Sequence, residues 1–314
     1  MASLTFGVIG VGHFGKNYVR LLQNLEGVEL SQVANSAKES QALLENPRID
    51  CVVIATPVST HFQLTSSAIE AGKHVLVEKP MVRNLEEAAE LGKIVKKSGR
   101  TFMVGHQYLY NDFIRKLKEY LVSGTIGETR YIFAEHLYFG PIRYDVGCFW
   151  ETATHDIAII DYLFRLAKII NVSGGAVDMV EKGRDDFASV QVTFDTGLMV
   201  SIVTSWFWPV KTRRMTLVGR KGMALFDDRV EDFKLKIIPQ LYPEGPKEKG
   251  KFSSFMEIDQ SSIVVPKVLA REPLQNELEH FIDCVREKKT PLSDIEHGLR
   301  VTEVLDTIAR TIRN

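Results

Sequence analysis

Residues 4–15 read LTFGVIGVGHFG, an apolar run that leads into a glycine-rich turn. The run predicts a β-strand, and residues 16–25 after it have the apolar spacing of a helix. Glycines at such a turn allow a tight bend, a close approach of the backbone to a pyrophosphate and close packing of helix on strand. A tight turn in a non-binding domain is the alternative. The stretch predicts a dinucleotide-binding turn made by Gly10, Gly12, His13, Phe14 and Gly15.

The alternation of strand and helix continues outward from this turn to about residue 105. Predicted strands at 28–34, 51–55, 74–77 and 101–104 alternate with predicted helices at 40–44, 61–71 and 85–97. Strict alternation predicts right-handed βαβ units and a parallel Rossmann sheet. The fold class is therefore α/β, with a dinucleotide-binding Rossmann domain at residues 1–122.

The pattern changes after about residue 120, where long strands follow one another without intervening helices. Strands are predicted at 130–139, 169–178, 187–194, 198–208, 213–218 and 223–227, and helices at 113–121, 150–164, 274–287 and 296–312. Residues 239–262 are rich in Pro, Gly, Lys and Ser and predict an exposed loop. Residues 123–314 are thus predicted to form an α+β domain for substrate binding and oligomerisation, with a large open, mainly antiparallel sheet.

Composition excludes several classes of partner. The 314 residues carry a net charge of −1, so nothing draws the whole chain to nucleic acid or to an anionic membrane. No apolar run approaches the roughly 20 residues of a membrane span, and the N-terminus lacks the basic region of a secretion signal. The three cysteines, Cys51, Cys148 and Cys284, are too far apart for a metal-ligand motif or a disulfide framework. We therefore expect no metal and a cytoplasmic location.

The end of the second predicted strand bears on the choice of cofactor. An acid about 20 residues after the glycines would bind the ribose 2′-hydroxyl. Asn35 stands there instead, followed by Ser36 and Lys38. With no acid to repel a 2′-phosphate, the sequence leans slightly to NADP over NAD, although Asn35 could equally bond a free ribose. Asn35 and Ser36 are thus candidate cofactor-binding residues.

Three further groups of residues are candidates for cofactor binding or catalysis. Thr56, Pro57 and His61 follow the third long strand, and Glu78-Lys79-Pro80 follows the next, where parallel strands form their ligand crevice. The Lys79 cation can hydrogen-bond a substrate hydroxyl, although a lysine before a proline is usually a surface residue. Glu151 and His155 lie four apart on a predicted helix and can move a proton near neutral pH. A buried structural histidine and a helix N-terminal acid are the alternatives for that pair.

Taken together, several stretches resemble the Gfo/Idh/MocA oxidoreductases, the glucose–fructose oxidoreductase and inositol dehydrogenase group. The resemblance covers nearly the whole chain. It rests on GVIGVGHFG at 7–15, CVVIATPVSTH at 51–61, GKHVLVEKPM at 72–81, MVGHQYLYN at 103–111, ETATHDIAIIDYL at 151–163 and the tail at 277–306.

The resemblance implies roles for the candidate residues. Lys79 would lie beside the nicotinamide ribose and the substrate hydroxyl, and His155 would be the general acid/base. Glu151 stands where other members carry an aspartate or an amide. The implied cofactor-lining residues are Thr56, Pro57, His61 and Glu78, and the substrate-side residues are Tyr108, Asn111, Arg143 and Tyr144. The last two come from residues 137–150, which resemble the WlbA-like branch that oxidises UDP-activated amino-sugar uronates.

The implied activity is transfer of a hydride between NAD or NADP and a hydroxyl or keto carbon of a sugar, cyclitol or nucleotide-sugar. The resemblance also implies a homodimer or homotetramer. The alternatives are a non-catalytic dinucleotide-binding sensor, and an enzyme that recycles tightly bound NAD during glycoside cleavage or sugar–sugar oxidoreduction. One departure stands out, because only about 15 residues separate the second strand from Cys51. Family members usually fit an extra helix and strand there, so either the fold is trimmed or part of the chain is absent from this sequence.

Overall fold

The computed structural model describes residues 3–240, 258 and 260–312. It divides into two compact units built from discontinuous segments. The first unit comprises Met1–Asn111, Arg143–Tyr162 and Arg271–Ala309, and the second comprises Asp112–Ile142, Leu163–Ala270 and Arg310–Asn314. The assignment of residues 1–122 to cofactor binding and 123–314 to substrate binding stays a prediction.

The first unit contains a five-stranded sheet, which confirms the predicted parallel arrangement. Its strands are β1 (Leu4–Ile9), β2 (Val28–Ala34), β3 (Cys51–Ile54), β4 (His74–Glu78) and β5 (Phe102–Gly105), in the order β2-β1-β3-β4-β5. Every pairing is parallel. All four residues of β3 are buried, as its unbroken apolar sequence predicts for a strand covered on both faces. The carboxyl ends of the five strands therefore share one edge.

Eight α-helices are present in the described residues. They are α1 (Gly15–Leu22), α2 (Ala37–Glu45), α3 (His61–Glu70), α4 (Leu85–Ser98), α5 (Asp112–Val122), α6 (Cys148–Phe164), α7 (Pro273–Glu287) and α8 (Ile295–Ile312). The helix predicted at 40–44 is present but longer than predicted, because α2 begins three residues earlier. Ser36 and Glu39 cap its first turn reciprocally, so the helix starts at the cap rather than at its first apolar residue.

Apolar side chains from the strands and the covering helices fill the core of the first unit. Val52 and Val75 of the sheet, Leu43 of α2, Ala68 of α3 and Leu91 of α4 are all fully buried. Burial of a Val or Leu side chain stabilises the fold by roughly 1.5–3 kcal/mol. This packing fixes the strand ends against which the candidate residues lie.

The second unit contains a seven-stranded sheet. Its strands are β6 (Thr129–Phe139), β7 (Ile169–Val177), β8 (Phe187–Phe194), β9 (Met199–Ser205), β10 (Phe207–Gly219), β11 (Met223–Asp227) and β12 (Leu235–Ile238), in the order β12-β11-β10-β6-β9-β8-β7. Only the β6–β9 pair is parallel, which confirms a mainly antiparallel sheet.

Three sequence predictions in this sheet need correction. The strand predicted at 198–208 is interrupted by a bend at Trp206, so β9 ends at Ser205 and β10 begins at Phe207. The strand predicted at 213–218 is the second half of β10, and β12 was missed. Of the loop predicted at 239–262, residues 241–257 and 259 lie outside the described residues.

Candidate active site

The glycine turn is held by close backbone contacts at its two ends and is open in the middle. Gly10 has a φ of +89°, and a Cβ there would lie 2.7 Å from the carbonyl oxygen of Ala55. A Cβ on Gly15 would lie 1.9 Å from the carbonyl oxygen of Gly10, so both positions require glycine. A Cβ on Gly12 would meet no atom within 4 Å. The turn therefore presents open space directly before the N-terminus of α1, with His13 exposed and Phe14 half-buried beside it.

A carboxylate lies at the end of β2, where the sequence analysis predicted none. Glu39 Oε2 accepts hydrogen bonds from the amides of Asn35 (2.8 Å) and Ser36 (3.0 Å). The Asn35 side chain faces the glycine turn and accepts from the Val11 amide (2.8 Å). The prediction of an acid-free strand end was thus wrong, since the acid arrives from the first turn of α2. The Ser-x-x-Glu capping signature at 36–39 was the sequence signal that pointed to it.

His61 connects the loops that follow β3 and β4. Its Nδ1 lies 2.8 Å from the carbonyl oxygen of Pro80 and its Nε2 lies 2.9 Å from that of Thr56. The ring is buried, and this burial lowers the pKa of His61. Thr56 itself is half-buried and Pro57 exposed. His61 therefore braces the two loops, and the predicted contact of these residues with a cofactor stays a prediction.

Lys79 and Glu151 form an ion pair at the carboxyl edge of the sheet. Lys79 Nζ lies 2.6 Å from Glu151 Oε1 and also donates to the Glu151 carbonyl oxygen (3.2 Å). Thr152 donates to the other carboxylate oxygen (3.0 Å). Although burial opposes it, the Lys79 ammonium lowers the pKa of Glu151 to about 2. The sequence analysis named both residues as candidates but paired Glu151 with His155. It therefore missed the contact between Lys79 and Glu151, which are 72 residues apart.

His155 lies one turn beyond Glu151 on α6, and residues four apart on a helix share a face. Its ring is nearly buried and makes an edge contact with Tyr108, with ring centroids 5.2 Å apart. Tyr108 lies in a 3₁₀ turn (Gln107–Tyr110) directly after β5. The indole of Trp150 donates to the Val82 carbonyl oxygen (3.1 Å) and thereby fixes the start of α6 against the loop after β4. The structure thus brings Lys79, Glu151, His155 and Tyr108 together within the first unit.

Glu78 is buried beneath this group and takes part in an acid cluster. The Tyr18 hydroxyl lies 2.8 Å from Glu78 Oε1 and 3.0 Å from Glu277 Oε1, and Glu78 Oε2 accepts from the Lys79 amide (3.0 Å). One O–H can donate to only one carboxylate, so the other glutamate must carry a proton to complete the second bond. Burial raises the pKa of Glu78 to about 7 and that of Glu277 well above its ordinary value. The sequence analysis missed Tyr18 and Glu277.

The remaining predicted substrate-side residues differ in their surroundings. Arg143 forms a two-point contact with Asp145 (3.0 and 2.9 Å), and Asp145 also accepts from the Val58 amide (3.2 Å). Although burial opposes it, Arg143 lowers the pKa of Asp145. Tyr144 is 74% exposed, whereas Asn111 is buried at the end of the Tyr108 turn. The hydrogen bond from the Val58 amide to Asp145 therefore fastens the segment before α6 to the loop after β3.

A second group of hydrogen-bonded polar side chains begins at the end of β5, and the sequence analysis missed it. His106 Nδ1 lies 3.1 Å from His297 Nε2, and His297 Nδ1 lies 2.7 Å from Asp161 Oδ2. Arg300 donates to both oxygens of Asp161. Although burial opposes it, His297 and Arg300 lower the pKa of Asp161 to about 2. No periodic spacing links residues 106, 161 and 297, so these contacts could be found only from the structure.

The residues present fit a dinucleotide. The open space at Gly12 and the amides at the start of α1 suit a pyrophosphate, because unpaired N–H groups and the helix dipole both favour an anion there. Lys79, His155 and Tyr108 supply polar groups at the same edge. Within the described ranges, no cluster of three or more His, Cys, Asp or Glu side chains is arranged for a metal ion. Nor does any described helix have the length and apolarity that a membrane span needs.

Comparison with family models divides the chain at nearly the same place as the change of pattern. Residues 4–106 match the model described as an oxidoreductase family with an NAD-binding Rossmann fold. Residues 114–225 match the model of the GFO/IDH/MocA C-terminal domain. The two matches together cover more than half of the chain.

Curated relatives align along almost the full length. Scyllo-inositol 2-dehydrogenase (NAD(+)) of Bacillus subtilis is 29% identical, over 98% of this chain and 93% of that protein. UDP-N-acetylglucosamine 3-dehydrogenase of Acidithiobacillus ferrooxidans is 26% identical, over 96% of this chain and 95% of that protein. A solved structure of the latter enzyme superposes with a TM-score of 0.83 at 23% identity, covering 100% of this chain and 99% of that one, which shows the shared fold.

Proposed function

The chain belongs to the Gfo/Idh/MocA family of NAD-binding oxidoreductases, and we propose that Lys79, Glu151 and His155 carry the chemistry of a dehydrogenase. The reaction is oxidation of a secondary hydroxyl to a ketone, or the reverse. When bound, a nicotinamide would supply the carbon that exchanges the hydride.

The protein's part is to handle the hydroxyl proton. His155 accepts the proton as the hydride leaves the carbinol carbon, and returns it in the reverse direction. Lys79 donates a hydrogen bond to the same oxygen. Glu151 holds the Lys79 ammonium by the 2.6 Å contact and so limits its freedom. Positioned acid–base groups typically contribute about 10²–10⁴-fold to the rate.

The contact between Lys79 and Glu151 is the single observation that carries this proposal. The motif after β4 supplies the cation and α6 supplies the carboxylate. Since His155 follows one turn later on α6, the contact brings the lysine to the same helix face as the histidine. A buried ion pair costs desolvation and adds little to stability by itself, which favours a functional reason for keeping it.

The substrate is a sugar, cyclitol or nucleotide-sugar. The full-length relatives oxidise an inositol in one case and a UDP-activated amino sugar in the other, as their names state. Arg143 and Tyr144, before α6, and Tyr108 and Asn111, after β5, are the proposed substrate contacts. An arginine cation can bind a phosphate group, so Arg143 is a proposed contact for a nucleotide-sugar substrate.

The test replaces the proposed catalytic groups one at a time. Lys79→Ala and His155→Ala should each lose at least about 100-fold in kcat with a substrate found by screening inositols and UDP-sugars at the NAD(P)H absorbance band. Dinucleotide affinity should stay within a few-fold of wild type. Lys93→Ala, at an exposed lysine of α4, is the matched control and should keep full activity.

Full turnover by either variant would remove the assigned role. Cofactor binding without turnover on any sugar would favour the sensor alternative, and a co-purified, non-exchanging dinucleotide would favour the recycling alternative.

We also propose a cytoplasmic homo-oligomer. The three cysteines all lie in the described part of the chain, are buried and form no disulfide there, which is consistent with a reducing compartment. One face of the β6 strand is exposed and carries Tyr131 and Phe133, while the alternate residues Ile132 and Ala134 are buried. A second copy of the chain is the proposed cover for that face.

A further inference from the structure

The carboxylate of Glu39 occupies the backbone donors that follow β2. Its Oε2 accepts from the amides of Asn35 and Ser36, at 2.8 and 3.0 Å. In return, the Glu39 amide donates to Ser36 Oγ (3.3 Å), which completes the capping box of α2. Among the described residues, Glu39 Oε1 has no hydrogen-bond partner. The carboxylate is therefore fixed in place with one acceptor oxygen available.

This position is the adenosine end of a Rossmann site. The residue after the second strand normally contacts the ribose 2′-hydroxyl, whereas enzymes that use NADP place a cation and free donors there for the 2′-phosphate. Asn35 is tied to the glycine turn through the Val11 amide (2.8 Å), so the end of β2 and the pyrophosphate turn form one continuous wall. A ribose placed by that wall would lie beside Glu39.

We propose that Glu39 makes this protein select NAD over NADP. Its second carboxylate oxygen accepts a hydrogen bond from the ribose 2′-hydroxyl. The same charge repels a 2′-phosphate, which would also find the amides of Asn35 and Ser36 already bonded. The inference rests on the proposed dehydrogenase function and names the cofactor that this function uses.

The charge of Glu39 persists over the working pH range. The hydrogen bond from the Asn35 amide, assisted by Ser36, lowers the pKa of this carboxyl. Lys38 is the opposing group, because its ammonium could attract a 2′-phosphate. Lys38 and Glu39 are both exposed, and an exposed ion pair is typically worth less than about fivefold in affinity. Glu39 should outweigh Lys38 because two backbone amides fix its carboxylate at the end of β2.

The experiment measures the dissociation constants of NAD⁺ and NADP⁺ by calorimetry, with no turnover involved. Wild type should bind NAD⁺ about threefold to fivefold more tightly than NADP⁺, because two like charges repel each other even when solvent screens them. Glu39→Gln keeps the side-chain length and removes the charge. It should bring the ratio of the two dissociation constants to about one through tighter NADP⁺ binding. Lys38→Met is the matched control next to it and should leave the preference for NAD⁺ intact.

A salt titration of wild type tests the same point without a substitution that could unfold α2. If repulsion sets the preference, raising NaCl from 50 to 500 mM should bring the NADP⁺ affinity closer to that of NAD⁺, because salt screens exposed charges. If Lys38 attracted the phosphate, the same titration would instead weaken NADP⁺ relative to NAD⁺.

Equal or tighter binding of NADP⁺ by wild type, or an unchanged ratio in Glu39→Gln, would overturn the selectivity and leave the dehydrogenase proposal standing. Failure of wild type to bind either dinucleotide would overturn both.

Discussion

Gly12 differs from the other glycines of its turn in what a side chain there would meet. Gly10 and Gly15 are confined by backbone oxygens, whereas a Cβ on Gly12 would enter open space. We expect Gly12→Ala to change the free energy of unfolding by no more than about 1 kcal/mol. It should weaken NAD⁺ binding at least tenfold, because the methyl group would occupy the space through which the backbone approaches the pyrophosphate.

Denaturant unfolding and calorimetry on the same variant separate these two effects. Gly175→Ala, on β7, is the matched control, since a Cβ there also meets nothing within 4 Å and lies on the second unit. It should alter neither stability nor binding appreciably. An alanine at position 12 that binds NAD⁺ like wild type would show that no pyrophosphate lies against this turn.

At the scale of residues, the sequence predicted which side chains matter better than it predicted their partners. The motif around Lys79 and the helical spacing of Glu151 and His155 correctly indicated three residues that lie together in the candidate site. The contact of Lys79 with Glu151 depends on the loop after β4 meeting α6, which no local pattern encodes. Glu39 was missed for a different reason, because only the strand-end residue was considered and not the helix turn that folds back onto it.

The elements α1, β4 and α7 meet at the acid cluster of Tyr18, Glu78 and Glu277. Burial raises the pKa of both carboxyls, so the folded protein holds protons that the unfolded chain has already released. Stability from this source is complete below about pH 4.5 and falls as the pH rises through about 7, the pKa of Glu78. Glu277→Gln makes one member permanently neutral.

We therefore expect Glu277→Gln to lose less stability than wild type between pH 5 and pH 8, by about 1–3 kcal/mol. Its side-chain amide can still donate to the Tyr18 oxygen. Thermal unfolding at several pH values measures the difference, and Glu70→Gln, at an exposed glutamate of α3, should follow wild type. Parallel curves for Glu277→Gln and wild type would mean that Glu277 is already ionised in the fold.

Elements of the first unit were predicted more closely than those of the second. Strand β3 is a short apolar run between turns that contain Pro47 and Pro57, so its length and its burial identify it together. In the second unit, the alternation of apolar residues continues through Trp206. This alternation does not show that the backbone bends there and separates β9 from β10. The four residues of β12, LKII, lie in a charged region of the sequence. They form a strand because they pair with β11, and no local sequence pattern predicts that pairing.

For the molecule as a whole, the exposed face of the seven-stranded sheet determines the expected assembly. Tyr131 and Phe133 are 43% and 40% exposed, and Phe133 lies opposite Ser201 on β9 and Thr216 on β10. Phe133→Asp should shift the sedimentation coefficient toward that of a monomer, since a buried, unpaired charge opposes association. Val122→Asp, at an 81% exposed valine on α5, is the control. A monomeric wild type at micromolar concentration would contradict the expectation.

The first unit is completed only by its last segment, Arg271–Ala309, which follows Asn111 by about 160 residues. Helix α7 from that segment supplies Glu277 to the buried cluster, and α8 supplies Ile295 to the core. A ribosome adds residues at about 5–20 per second. Roughly ten to thirty seconds therefore pass between synthesis of the five-stranded sheet and synthesis of these helices. We therefore expect the amino-terminal portion to need chaperones during synthesis. We also expect a protein shortened before α7 to be degraded, because it lacks the helices that complete the first unit.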